Sequence, residues 1–190
     1  SGRAARLEGG LGRFGWKANV ATLAHQTAGA FAADIGITSA QHPQEACSAA
    51  QKDCLAAARG GANGGPEIDE RTLGDVVFYQ AALAPAARRD VRHPQVLRGQ
   101  ALFQQAQCAA CHRPGYVTGE TPFPGLSSNK LAGQRIWPYT DLLLHDMGDA
   151  LADGRPDFAA NGRQWKTPAL WGVGLIRDVN DPVRGYMPPF

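Results

Sequence analysis

Long apolar runs are missing from this sequence. No stretch approaches the roughly 20 residues needed to span a bilayer. The opening SGRAARLEGG holds no apolar core of the kind a signal peptide carries. No leader is therefore expected, and the chain reads as mature or as a fragment. Lysine is scarce and scattered, at Lys17, Lys52, Lys130 and Lys166. The net charge is only +2, and no Lys/Arg cluster is placed to follow a phosphate backbone, so no nucleic-acid partner is expected. Sustained period-two alternation is also missing, which argues against an all-β or doubly wound fold. Methionine occurs twice and cysteine four times, so every sulfur ligand can be named.

What is present fits a globular protein. The 190 residues are 44% hydrophobic and 19% charged, enough for one good core or two small ones. Glycine (23) and proline (13) are moderately frequent. That balance points to a loop-rich fold in which a cofactor supplies part of the core.

Gly10, Gly12 and Gly15 form a G-x-G-x-x-G pattern, with Asp34 further on. A dinucleotide site needs a strand before the glycines, and residues 1–9 do not read as one. The pattern is read as a flexible loop. Val20, Leu23, Ala24, Thr27, Ala28 and Phe31 recur at helical spacing, with Asn19 as the expected N-cap and Gly36 as the stop. His25 beside this stripe reads as a packing residue. A second helix is expected after Asp69, with Leu73, Val76 and Val77 on its apolar face and Pro85 beyond its end. A third begins at Pro94, with Val96, Gly99 and Phe103 on one face. Gly99 would let another helix approach closely. A domain boundary is expected near Arg88–His93.

Cys47 and Cys54 stand seven residues apart. On a continuous helix they would lie about 10 Å apart along the axis, and a disulfide needs Cα atoms within roughly 7 Å. A bridge requires the chain to turn between them; the alternative is two separately buried thiols.

QCAACHRPG, residues 107–115, carries the chemistry. C-x-x-C-H is the pattern of covalent haem attachment: two thiols one turn apart add to the vinyl groups, and the adjacent imidazole reaches the iron. Cys108, Cys111 and His112 are assigned these roles, for one covalent haem c. A zinc site needs four convergent ligands, and the Cys47/Cys54 spacing fits no common zinc pattern. A thioredoxin-like motif needs a βαβ context that is absent here. Haem attachment implies an oxidising export compartment, which favours the Cys47–Cys54 bridge.

The chain resembles the C-terminal part of bacterial di-haem oxidoreductases, thiol oxidoreductase-like relatives of the di-haem cytochrome c peroxidases. The resemblance is carried by GRFGWKANVATLAHQTAGAFAADIGITS, GGPEIDERTLGDVVFYQAALA, HPQVLRGQALFQQAQCAACH, LAGQRIWPYTDLLLHDMGDALADGRPDF and GRQWKTPALWGVGL. It implies a mainly α fold: a cytochrome c-like helical haem domain over residues 91–190, preceded by a helical, loop-rich segment over residues 1–90. That segment holds the Cys47/Cys54 pair and is expected to be the tail of an upstream haem domain. A periplasmic location is implied as well. After TPALWGVGL the text IRDVNDPVRGYMPPF departs from the family pattern.

A second axial position remains to be assigned. Met147, in LLLHDMG, is the expected distal ligand, and Met187, in GYMPPF, is the alternative. Arg135, Trp137 and Tyr139 are candidates to hydrogen-bond haem propionates, with core packing the alternative for the two aromatics. His145 is another candidate for that role. His145, Asp146 and Asp149 are the acid/base groups a peroxidase-like enzyme would draw on, but no catalytic residue is assigned. Electron transfer is the favoured function, to a redox partner protein or an upstream haem domain. The alternatives are a peroxidase-like enzyme and a haem-bearing subunit of a larger complex.

Overall fold

The computed structural model describes residues 1–120 and 131–176. Lys130 and Met187 lie outside the described residues. The backbone groups into two units. Unit 1 comprises Ser1–Arg3, Ala84–Asp146 and Lys166–Phe190; unit 2 comprises Ala4–Leu83 and Met147–Trp165.

Unit 2 holds three α-helices: α1 (Leu23–Asp34), α2 (Lys52–Ala56) and α3 (Glu70–Ala82). The Thr22 hydroxyl caps α1 by accepting the His25 N–H at 3.1 Å. Asn19, the expected cap, instead donates from Nδ2 to Asp157 Oδ2 at 2.8 Å, so a distant partner outcompetes the local role. Asp69 caps α3 by accepting the Thr72 N–H at 2.8 Å, as local chemistry dictates. α1 and α3 pack together, burying Ala28, Ala32, Leu73 and Val77. Between them the Thr27 hydroxyl is 2.9 Å from both the Leu23 carbonyl and Gln80 Oε1.

The glycine-rich start, read from sequence as a loop, contains a short hairpin. β1 (Arg6–Leu7) pairs antiparallel with β2 (Gly10–Leu11), and Gly10 adopts φ 121° to make the turn. A strand thus precedes Gly12 and Gly15, but it is half of a tight hairpin and does not feed a helix as a dinucleotide fold requires. Cys47 and Cys54 are joined by a disulfide, their Cα atoms 5.9 Å apart. Cys47 lies in a loop and Cys54 in α2, so the chain turns between them. Lys17, only 5% exposed, donates from Nζ to Asp153 Oδ1 and the Arg155 carbonyl, both at 2.6 Å, and to the Asn161 carbonyl at 3.3 Å. Its ammonium also sits 4.5 Å from the centre of the Trp165 ring.

Unit 1 holds α4 (Pro94–Gln105), with Pro94 in its first turn, followed by a 3-10 turn at Cys108–Ala110. β3 (Tyr116–Val117) pairs antiparallel with β4 (Arg135–Ile136). Leu144 opens the short strand β5 (Leu144–Asp146) and exchanges backbone hydrogen bonds with Arg3. β6 (Gln164–Lys166) ends at the start of the unit's last segment.

This corrects the expectation of a mainly α, cytochrome c-like fold preceded by a helical segment. The four α-helices have 12, 5, 13 and 12 residues, and most described residues lie in turns, loops and short antiparallel ladders. The cause is visible after residue 113. Pro114, Gly115, Gly133 and Pro138 interrupt the chain, and Tyr139, Leu142 and Phe158 adopt positive φ, so no apolar run grows into a helix. Among the described residues no helix packs along α4; its element contact is the turn that follows it.

Candidate functional site

The motif begins where α4 stops. Gln107 adopts a left-handed conformation (φ 60°) and ends the helix, and the next turn carries Cys108 and Cys111. The His112 N–H donates to the Cys108 carbonyl at 2.9 Å, which holds both cysteines and the histidine on one tight coil. Both thiols are free, Cys108 exposed and Cys111 partly covered.

The strand of chain from Pro138 to Thr140 is sewn to the residues after the motif. The Thr140 N–H donates to the Arg113 carbonyl at 3.1 Å, and the Tyr116 hydroxyl donates to the Thr140 carbonyl at 2.9 Å. The Thr140 hydroxyl, 1% exposed, donates to the Thr167 carbonyl at 2.6 Å and accepts the Leu142 N–H at 2.9 Å. This stitching brings the Tyr139 carbonyl to His112. The His112 Nδ1–H donates to it at 2.8 Å, which fixes the ring and leaves Nε2 as the lone-pair nitrogen. The Phe103 ring packs edge-on to His112 and to Tyr139, with centroids 6.3 and 5.6 Å apart.

Phe103 and Tyr139 also line a cleft of about 690 Å³. Ile136, Trp137, Leu170 and Trp171 add apolar wall, and Arg135 adds charge. The three residues expected from sequence near a cofactor, Arg135, Trp137 and Tyr139, thus share one cleft with the aromatic that touches His112. Gly99 lies on the same wall, and a Cβ there would meet nothing within 4 Å among the described residues. The glycine faces cleft space, not a second helix.

A second constellation was not legible as such. His145 Nε2–H donates to Asp141 Oδ2 at 2.8 Å, and His145 Nδ1 lies 3.5 Å from Cys111 Sγ. The pair is 13% and 14% exposed. Gly2 lies against it, since a Cβ there would come 2.5 Å from His145 Nε2. Burial alone would raise the Asp141 carboxyl. The Leu143 N–H, the His145 ring and the Thr167 side chain outweigh that effect and hold it below the usual carboxylate value. Asp141 stands four residues before His145, a spacing that suggests a helix; here a turn with Leu142 at φ 58° makes the contact.

The other sequence candidates lie elsewhere. Asp149 pairs with Arg163 at 3.2 Å in unit 2. Met147 also belongs to unit 2; its side chain is 47% exposed and its N–H donates to the Arg163 carbonyl at 3.0 Å. His25 stacks near His42, with ring centroids 5.3 Å apart. Among the described residues no three His, Cys, Asp or Glu side chains converge as a metal site.

The model of the family described as "Di-haem oxidoreductase, putative peroxidase" matches residues 7–188. The chain belongs to this family. No curated protein and no solved structure matches it. A di-haem oxidoreductase implies a haem cofactor, and the residues present fit one. Two free thiols and an oriented imidazole stand at the end of one helix, beside a cleft of the size that holds a large flat ligand. The cleft walls are aromatic and aliphatic, as an apolar macrocycle requires. No helix among the described residues of this chain is long and apolar enough to cross a membrane.

Proposed function

We propose that this chain transfers electrons through one haem, attached covalently at Cys108 and Cys111 with His112 as an axial ligand, within the oxidoreductase chemistry of its family. The carrying observation is the His112 Nδ1–H donated to the Tyr139 carbonyl beside the aromatic cleft. A bound haem supplies a one-electron iron couple. The chain's own residues do the rest: the Tyr139 carbonyl orients His112, and the Phe103, Trp137 and Trp171 rings line the cleft with apolar surface. Met147 and Met187 are the two methionine candidates for the distal position, and the single variants below decide between them.

A periplasmic location is part of the proposal. The Cys47–Cys54 disulfide supports an oxidising compartment. The proposed partner is a redox protein or a second haem domain.

A second reading, peroxide reduction, draws on the partly buried His145–Asp141 pair, an imidazole held by a carboxylate beside Cys111. Acid extraction of the purified protein tests attachment: covalent haem stays with the chain. Absorption and magnetic circular dichroism, with and without peroxide, then separate the two readings. A low-spin spectrum unchanged by peroxide is expected for electron transfer; an open site that reacts with peroxide overturns it. Loss of the sulfur-to-iron band in Met147→Ala or in Met187→Ala names the distal ligand.

A further inference from the structure

The charged lining of the cleft is all of one sign. Arg88 and Arg89, from the linker between α3 and α4, line it together with Arg135 of β4. Among the described residues no Asp or Glu lines the cleft, and none of these three arginines has an ion-pair partner. Arg88 Nη2 donates only to the neutral Gln100 Oε1, at 3.3 Å. Arg89 lies over Gly174: a Cβ there would come 2.8 Å from Arg89 Nη2, so the missing side chain gives the guanidinium its place.

Arg88, Arg89 and Arg135 are all exposed, and the like charges that line one space favour an anion there. The guanidinium fork matches a carboxylate with two parallel hydrogen bonds. The remaining wall is aromatic and aliphatic. The complementary occupant therefore has a flat apolar body and carboxylates at one edge. Haem has that form.

We infer that Arg88 and Arg89, together with Arg135, bind the haem propionates. This rests on the haem reading above and extends it to two residues in a linker. The linker would then be part of the cofactor site, tying the segment before α4 to the segment around Leu170–Leu175. Charge near the propionates also favours the more electron-rich, reduced iron, so removing it lowers the reduction potential.

The test uses the full chain with its haem. Arg88→Gln, Arg89→Gln and the double variant are compared with Arg98→Gln, an α4 arginine of the same unit that does not line the cleft. Covalent haem content and reduction potential are measured on each. The expected result is normal haem content, a potential lowered in each single variant and further in the double variant, and recovery in Arg88→Lys/Arg89→Lys. The inference is overturned if the double variant carries haem at the parent's potential. It is equally overturned if Arg98→Gln lowers the potential as much. A parent protein that carries no haem overturns the haem reading itself, and this assignment with it.

Discussion

His112 Nδ1 and the Tyr139 carbonyl oxygen, 27 residues apart in sequence, are 2.8 Å apart in space. A backbone carbonyl cannot be substituted, but what holds it can. Thr140→Val removes both hydrogen bonds of a fully covered hydroxyl and leaves the Thr167 carbonyl and Leu142 N–H without that partner. The expected cost is about 1–3 kcal/mol in denaturant unfolding. The reduction potential of the haem-loaded chain should shift modestly with it, because the segment that carries the Tyr139 carbonyl keeps its Arg113 and Tyr116 hydrogen bonds but loses those of the hydroxyl.

Asp141 makes stability depend on acid. Its carboxyl is held below the usual value, so its contribution is fully present above the unfolded-state value and is lost as pH falls through the folded one. Stability should decline below about pH 4. Asp141→Asn should be less stable at neutral pH by about 1.5–3 kcal/mol and show a shallower acid decline. Urea midpoints across pH check both; equal slopes in the two proteins would refute the assignment.

Gly99 separates helix stability from cleft volume. Gly99→Ala should stabilise α4 by about 1 kcal/mol and leave haem loading unchanged. Gly99→Phe should keep the fold and lower the haem-to-protein ratio, because its ring enters the space the cofactor needs. Circular dichroism and haemochrome absorbance read the two effects separately.

The Cys47–Cys54 disulfide closes a short loop. Replacing both cysteines with alanine should cost about 2 kcal/mol, and reductant should lower the parent's unfolding midpoint but not the variant's.

The helix starts show how far sequence reaches. Asp69 opens α3 by accepting the Thr72 N–H, Pro94 sits in the first turn of α4, and both are readable from the text. Asn19 has the same chemistry as Asp69, yet it serves Asp157, 138 residues on, and Thr22 takes the cap. The C-x-x-C-H spacing at Cys108–His112 stands out in the text, and the structure carries it on one tight coil. Arg135, Trp137 and Tyr139 were picked by residue type, and the structure lines one cleft with all three. Asp141 was not, because its partner is set by a turn at positive φ that no periodicity announces. Arg88 and Arg89 fell within the boundary expected near Arg88–His93, and nothing in their spacing announces that both line the cleft. The mainly α expectation failed where prolines and glycines replaced helical runs with backbone stitching.

The Lys17 clip orders events in time. Its ammonium is satisfied by Asp153, Arg155 and Asn161, so unit 2 closes only when both ends of a 136-residue span have been made. The segment between those ends carries Cys108, Cys111 and His112. Chain order therefore puts Cys108, Cys111 and His112 ahead of the residues that lock unit 2. Until residues 153–161 follow, those three side chains belong to a chain whose closing contacts are not yet made.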